Sequence, residues 1–197
     1  MKHAKYAVAL AVLFQLPLNA ENPTCSISHS AGVVSIEYPG EIGRCYEIWA
    51  STDLASGEWT GPLDTRIGAG RDESVRFRTP GFRKRFFQLR ASDLAPEPSQ
   101  FAGLVVGTTL PNSNYLITSP TRFSWFGETG NWAYSKTAKN TGQIILTYDS
   151  NGNNASQYRE VVLLTFETRT SGTYDYCEFI ANVCDPSSVA EDIPWTF

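Results

Sequence analysis

Along most of the chain, hydrophobic residues recur at every second position in short runs separated by turn-forming residues. Val34, Ile36 and Tyr38 alternate with Val33, Ser35 and Glu37, and Tyr46, Ile48 and Ala50 alternate with Cys45, Glu47 and Trp49. Val75 and Phe77 alternate with Ser74, Arg76 and Arg78, and a last run of this half reads Phe86-Phe87-Gln88-Leu89-Arg90. Pro39-Gly40, Gly61-Pro62, Gly68-Ala69-Gly70 and Pro80-Gly81 fall between these runs. A period of two, interrupted by Gly and Pro, predicts half-buried strands joined by tight turns. Further on, the same pattern predicts strands over 104–110, 114–118, 122–126, 131–136, 143–148, 158–168, 173–180 and 195–197. Val161-Val162-Leu163-Leu164 is apolar on both faces, which predicts a strand that is covered or central.

The expected fold class is all-β. A small sandwich-like module occupies 21–92 and an antiparallel β-meander occupies 101–197. Closure of the meander into a small barrel is a further expectation, because closure removes exposed edges. Between the modules, 93–100 reads as a linker, since Pro96 and Pro98 remove amide donors and hold the chain extended. Outside the first twenty residues, no window longer than ten residues carries a helical period.

Those first residues change the compartment. Lys2 and Lys5 precede a thirteen-residue apolar stretch from Tyr6 to Leu18, followed by Leu18-Asn19-Ala20 as a cleavage site. This reads as a secretory signal peptide over 1–20, and the run is too short to span a membrane. The expected location is therefore periplasmic, cell-surface or extracellular, with no transmembrane segment in 21–197. Without Lys2 and Lys5 that remainder holds 14 basic against 20 acidic side chains, a net charge of −6. An acidic chain argues against nucleic acid as partner, since phosphate neutralisation needs a positive surface.

Export also governs the cysteines. All four, Cys25, Cys45, Cys177 and Cys184, follow the apolar stretch, and an even count in an exported chain favours disulfides over metal ligation. Of the three connectivities, Cys25–Cys45 with Cys177–Cys184 is expected, because either alternative bridges the two modules.

Two stretches carry a resemblance. Tyr46, Ser51, Thr52, Asp53, Leu54 and Trp59, then Arg85, Phe86, Phe87 and Leu89, resemble a small fibronectin- or immunoglobulin-like accessory module of exported bacterial proteins. That resemblance implies a β unit without a catalytic role. Trp132, Tyr134, Lys136, Thr137, Asn140, Thr141, Gly142, Leu146, Thr147 and Tyr148, with 170–174, resemble a recurrent exported β-meander repeat of unknown function. The cysteines are not part of either pattern.

Candidate chemistry is sparse. His29 is the one histidine after the signal peptide, and it reads as a surface or turn residue better than as a general base. With one histidine and paired cysteines, no metal site is expected, and no cofactor. Gly68-Ala69-Gly70 runs into Arg71-Asp72-Glu73 and reads as a turn, not a phosphate loop. Glycoside hydrolysis needs only two carboxylates. Glu160 and Glu167 lie seven apart, however, so a strand sends them to opposite faces, the pattern of surface salt-bridging residues. Asp149-Ser150-Asn151-Gly152-Asn153-Asn154 mimics the start of a calcium loop, but its Gly is fourth, and Asn-Gly between alternating runs favours a turn. Asn154-Ala155-Ser156 matches a glycosylation sequon that matters only in a eukaryotic secretory route. Arg76, Arg78, Arg83, Lys84, Arg85 and Arg90 form a basic cluster, read first as a solvated face and second as a contact for an acidic partner.

The aromatics remain. Trp125, Phe126, Trp132 and Tyr134 fall on neighbouring predicted strands, and alternation puts Trp132, Tyr134 and Lys136 on one face. Cross-strand stacking explains such a cluster by itself. Exposed, Trp125, Trp132, Tyr134 and Lys136 would instead form a binding surface. The expected function is a non-enzymatic accessory or adhesion-type protein that contacts a cell-surface polymer, carbohydrate or protein. The alternatives are a small carrier of an apolar or carbohydrate ligand in the second module, and a carboxylate-dependent glycoside hydrolase.

Overall fold

The computed structural model describes residues 23–78, 85–149, 158–180 and 182–197. The expected signal peptide, the Pro80-Gly81 turn, Arg83, Lys84, the Asn151-Gly152 turn and the sequon lie outside the described residues. Among the described residues the chain is all-β apart from one short helix, and it divides into two compact units at Ser92/Asp93.

The first unit is a sandwich of two antiparallel three-stranded sheets. One contains β1 (Ser26–Ser30), β2 (Val33–Gly40) and β5 (Arg71–Arg78), with β2 central. The other places β3 (Arg44–Ser51) between β4 (Thr60–Ile67) and β6 (Phe86–Asp93). Alternation builds the core: Val34, Ile36, Tyr38 and Val75 from one sheet meet Tyr46, Ile48, Ala50, Phe87 and Leu89 from the other. At about 25 cal/mol per Å² of apolar area, each large side chain buried here stabilises the unit by about 1.5–3 kcal/mol.

The same alternation overturns the expected Cys25–Cys45 bridge. The structure does not join them. Cys25 packs against the shared core, whereas Cys45 lies in β3 out of phase with the core residues Tyr46, Ile48 and Ala50. A side chain on the outer face of β3 points away from a thiol packed against the core on its inner face.

The second unit is an antiparallel sheet of eight strands. In chain order these are β7 (Leu116–Ser119), β8 (Arg122–Trp125), β9 (Glu128–Lys136), β10 (Thr141–Tyr148), β11 (Tyr158–Phe166), β12 (Ser171–Ile180), β13 (Val183–Cys184) and β14 (Ala190–Thr196). Neighbours in sequence pair in space as far as β13, and β14 returns to pair with β12. β11 is central, as its apolar run predicts, although Leu163 on its outer face is 46% exposed. Cys177 and Cys184 are bridged across the β12–β13 hairpin, in which Asn182 takes a φ of +66°.

The sheet is not closed into a barrel. The segment expected to supply a strand at 104–110 instead begins as the end of helix α1 (Pro98–Val105). Its sequence explains why: Pro98 occupies the first turn, Gln100 accepts from the Glu97 backbone N–H at 3.1 Å, and Phe101 and Val105 make one apolar stripe. What survives of the expected strand is a single bridge between Thr109 and Leu116.

Nor is 93–100 a loose linker. Leu94 and Ala95 are buried, and the Ala95 N–H donates to Lys139 O at 2.9 Å. Phe101, fully buried, stacks on Tyr134 with ring centroids 4.0 Å apart.

Candidate functional site

The inner face of the second sheet is set by parity. Ile144, Leu146 and Tyr148 on β10 are in phase with one another, as are Glu160, Val162, Leu164 and Phe166 on β11. Register places Glu160 opposite Glu178, Val162 opposite Tyr176 and Leu164 opposite Tyr174 on β12. Helix α1 fills one region of this face, where Phe101 meets Trp132, Tyr134, Phe166 and Phe197. Another part of the face is hollow.

That hollow is a cavity of about 270 Å³. Tyr115 and Trp125 stack at one wall with centroids 5.7 Å apart, and Ile144, Val162, Leu164, Tyr174, Tyr176, Trp195 and Phe197 complete the lining with the 110–114 loop. Two turns frame it. The loop is tied to β14 through Asn112, whose Nδ2 donates to Pro194 O at 2.6 Å. The β8–β9 hairpin turns at Phe126 and Gly127, with φ of +46° and +92°. Phe126 is 77% exposed and touches Trp125 edge-on, so a large apolar ring is held in the left-handed region beside the cavity wall.

Behind the aromatic wall sits an acidic centre. Glu160 is 2% exposed. Its Oε2 accepts from the Tyr115 hydroxyl at 2.5 Å, and its Oε1 accepts from Tyr148 at 2.6 Å and Tyr158 at 3.5 Å. The Tyr115 and Tyr148 oxygens are themselves 2.9 Å apart. Tyr176 donates to Glu178 Oε1 at 2.9 Å. These bonds satisfy a carboxylate whose burial would otherwise be costly. Burial, then the hydrogen bond to Glu160, lifts the Tyr115 and Tyr148 phenols well above their ordinary range. Burial, then the charge of Glu160, does the same to Tyr158 and Tyr176.

Of the expected binding residues, the structure brings only Trp125 to this cavity. Trp132 is buried, and its Nε1 donates to Ser119 O at 2.9 Å. Tyr134 is buried against Phe101 and donates to Pro96 O at 3.2 Å. Lys136 bridges Asp93 Oδ2 at 2.7 Å and Glu97 Oε1 at 2.9 Å, which ties the segment before α1 to β9. These three anchor the helix and form no exposed platform.

Sequence reasoning also misplaced Glu160 as a surface residue. Glu167 is exposed, but Glu160 lies within the core. The signal was present: Glu160 is in phase with Val162, Leu164 and Phe166, an acid on an apolar face. Tyr115, Tyr148, Tyr158, Tyr174 and Tyr176 fall within predicted strands, and the sequence pattern assigns them no role at the site. Asp149 forms an ion pair with Arg122 and accepts from Thr129 Oγ1 at 2.8 Å, bonds that hold its carboxyl below the usual range. His29 is exposed on β1. In the basic cluster Arg76 and Arg78 are exposed, whereas Arg90 lies 4.2 Å over the Trp49 ring and donates to Gln88.

Compared with protein families, with curated proteins and with solved structures, the chain matches none. The cavity's own chemistry is the guide to its use.

Proposed function

We propose that this is an exported, non-enzymatic binding protein whose second unit takes a small, largely apolar ligand in the aromatic cavity. The observation that carries the reading is a hollow of about 270 Å³ on an otherwise filled sheet face, walled by Tyr115, Trp125, Tyr174, Tyr176 and Trp195. Binding sites are typically concave, mostly apolar and marked by a few convergent polar groups, and drug-sized ligands occupy roughly 300–1,000 Å³. This cavity suits a ligand of one or two rings. The sandwich unit then serves as an accessory, in line with its resemblance to non-catalytic modules. Export rests on the reading of residues 1–20.

The test is the fluorescence of 2-naphthol titrated with the protein at neutral pH. Saturable binding that Trp125→Ala weakens, with circular dichroism unchanged, is the expected result. Unsaturable or absent binding to both proteins would end this reading.

A second reading has its own observation. Leu163, Ile180, Val183 and Val189, each between 45% and 69% exposed, lie on or beside β11, β12 and β13 near the Cys177–Cys184 bridge. Apolar side chains exposed together favour contact with a protein or polymer surface.

A further inference from the structure

We infer that the cavity selects ligands bearing a positively charged group, an aromatic amine in particular, over anions of the same shape. This inference deepens the proposed small-ligand reading and rests on it.

The inference comes from following the protons. Tyr115 lines the cavity and gives its hydroxyl proton to Glu160; Tyr176 lines it and gives its own to Glu178. Ser113 donates to Leu110 O at 2.8 Å, and Asn112 to Pro194 O. The Tyr115, Tyr176 and Ser113 hydroxyls have one proton each, so their oxygens are left with acceptor lone pairs, whereas the Asn112 amide keeps a second N–H. Tyr174 is the one lining hydroxyl without a partner among the described residues. The polar wall thus holds hydroxyls whose protons are spent beside the amides of Asn112 and Asn114, and charge decides which guests it prefers.

Charge points the same way. Glu160 and Glu178 stand directly opposite on β11 and β12, an arrangement that disfavours two like charges. Among the described residues, no Lys, Arg or His lines the cavity. The neighbouring Arg159 is out of phase with Glu160 and lies 5.0 Å over the Phe179 ring. Residues 150–157 contain no basic side chain in their sequence. A cation seated between the aromatic faces of Tyr115, Trp125 and Tyr176 would be attracted by those rings and by the carboxylates behind them. A carboxylate ligand meets lone pairs and like charge. Desolvated polar mismatches of this kind carry specificity.

Calorimetric titration with three probes of one shape tests this: phenethylamine, 2-phenylethanol and phenylacetate, at neutral pH and low salt. The full chain is used, as the wild type and as Glu178→Gln and Glu160→Gln. Phenethylamine is expected to bind at least about tenfold more tightly than phenylacetate, the scale of one charge-assisted contact. Glu178→Gln, which leaves the Tyr115–Glu160–Tyr148 bonds in place, is expected to shrink that ratio, and Glu160→Gln to shrink it further if circular dichroism shows it folded. Phenylacetate binding as well as the amine, or a ratio unchanged in Glu178→Gln, overturns the inference while the cavity reading stands. No binding of any of the three probes overturns both.

Discussion

Tyr115 and Glu160, forty-five positions apart, meet through a hydroxyl-to-carboxylate hydrogen bond of 2.5 Å. The bond joins the loop before β7 to the centre of the sheet, so it both satisfies a buried acid and fixes one cavity wall. Removing the donor by Tyr115→Phe leaves Glu160 short of a partner. The expected loss is about 1–3 kcal/mol of unfolding free energy. Urea denaturation measures it, and a loss under about 0.5 kcal/mol, the usual range for surface substitutions, would mean that the pair is not formed.

Alkaline pH should weaken the fold. Burial raises the phenols of Tyr115, Tyr148, Tyr158 and Tyr176, and pushes Tyr38 in the sandwich up to about 12. A raised folded value means that the native state holds its proton where the unfolded chain has already lost it. Stability from these groups is therefore complete below about pH 10, the ordinary phenol value, and falls as pH rises through the folded values. Melting temperature followed from pH 8 to 12 should decline from about pH 10. A flat profile would contradict the burial of these rings.

Gly142 explains a motif. A Cβ added there would lie 2.7 Å from Cζ of Tyr134, the ring that stacks on Phe101. The Asn-Thr-Gly run thus keeps β10 bare beneath a tyrosine of β9. Gly142→Ala should destabilise the second unit by about 1–3 kcal/mol through overpacking, whereas Gly103→Ala, with nothing within 4 Å, should not. Equal melting temperatures for the two variants would refute this account of the glycine.

The two tryptophans should separate in function. Trp132→Ala removes a buried ring whose indole is hydrogen-bonded, at a cost of about 3–5 kcal/mol. Trp125 is half-buried at the cavity wall, so Trp125→Ala should fold and lose ligand. Denaturation and 2-naphthol binding on both variants distinguish these effects. A fully stable Trp132→Ala, or a Trp125→Ala variant that binds normally, would reverse the assignment.

Much of the architecture was legible because period two is robust. Seven of the strands in the second unit overlap runs read from alternation alone. What failed did so for local reasons. Helix α1 is eight residues long, too short to show a helical period, and its signs were the Pro98 start and the Gln100 contact to Glu97. The site failed because aromatics at alternating positions look the same whether they pack on a helix, like Trp132 and Tyr134, or border a hollow, like Trp125 and Tyr174. Only tertiary placement of α1 decides which stretch of the face is filled. Glu160 is a residue whose type contradicts its phase, and such a conflict between local pattern and residue type often marks a functional position.

The most direct test of the central claim is to fill the cavity without touching the rest. Val162 lines it and is only partly buried, so Val162→Trp should occupy the hollow. Calorimetric titration of 2-naphthol into the wild-type protein should then show one saturable site, and the same titration into folded Val162→Trp should show none. Equal binding to both proteins would place the ligand elsewhere and contradict the account.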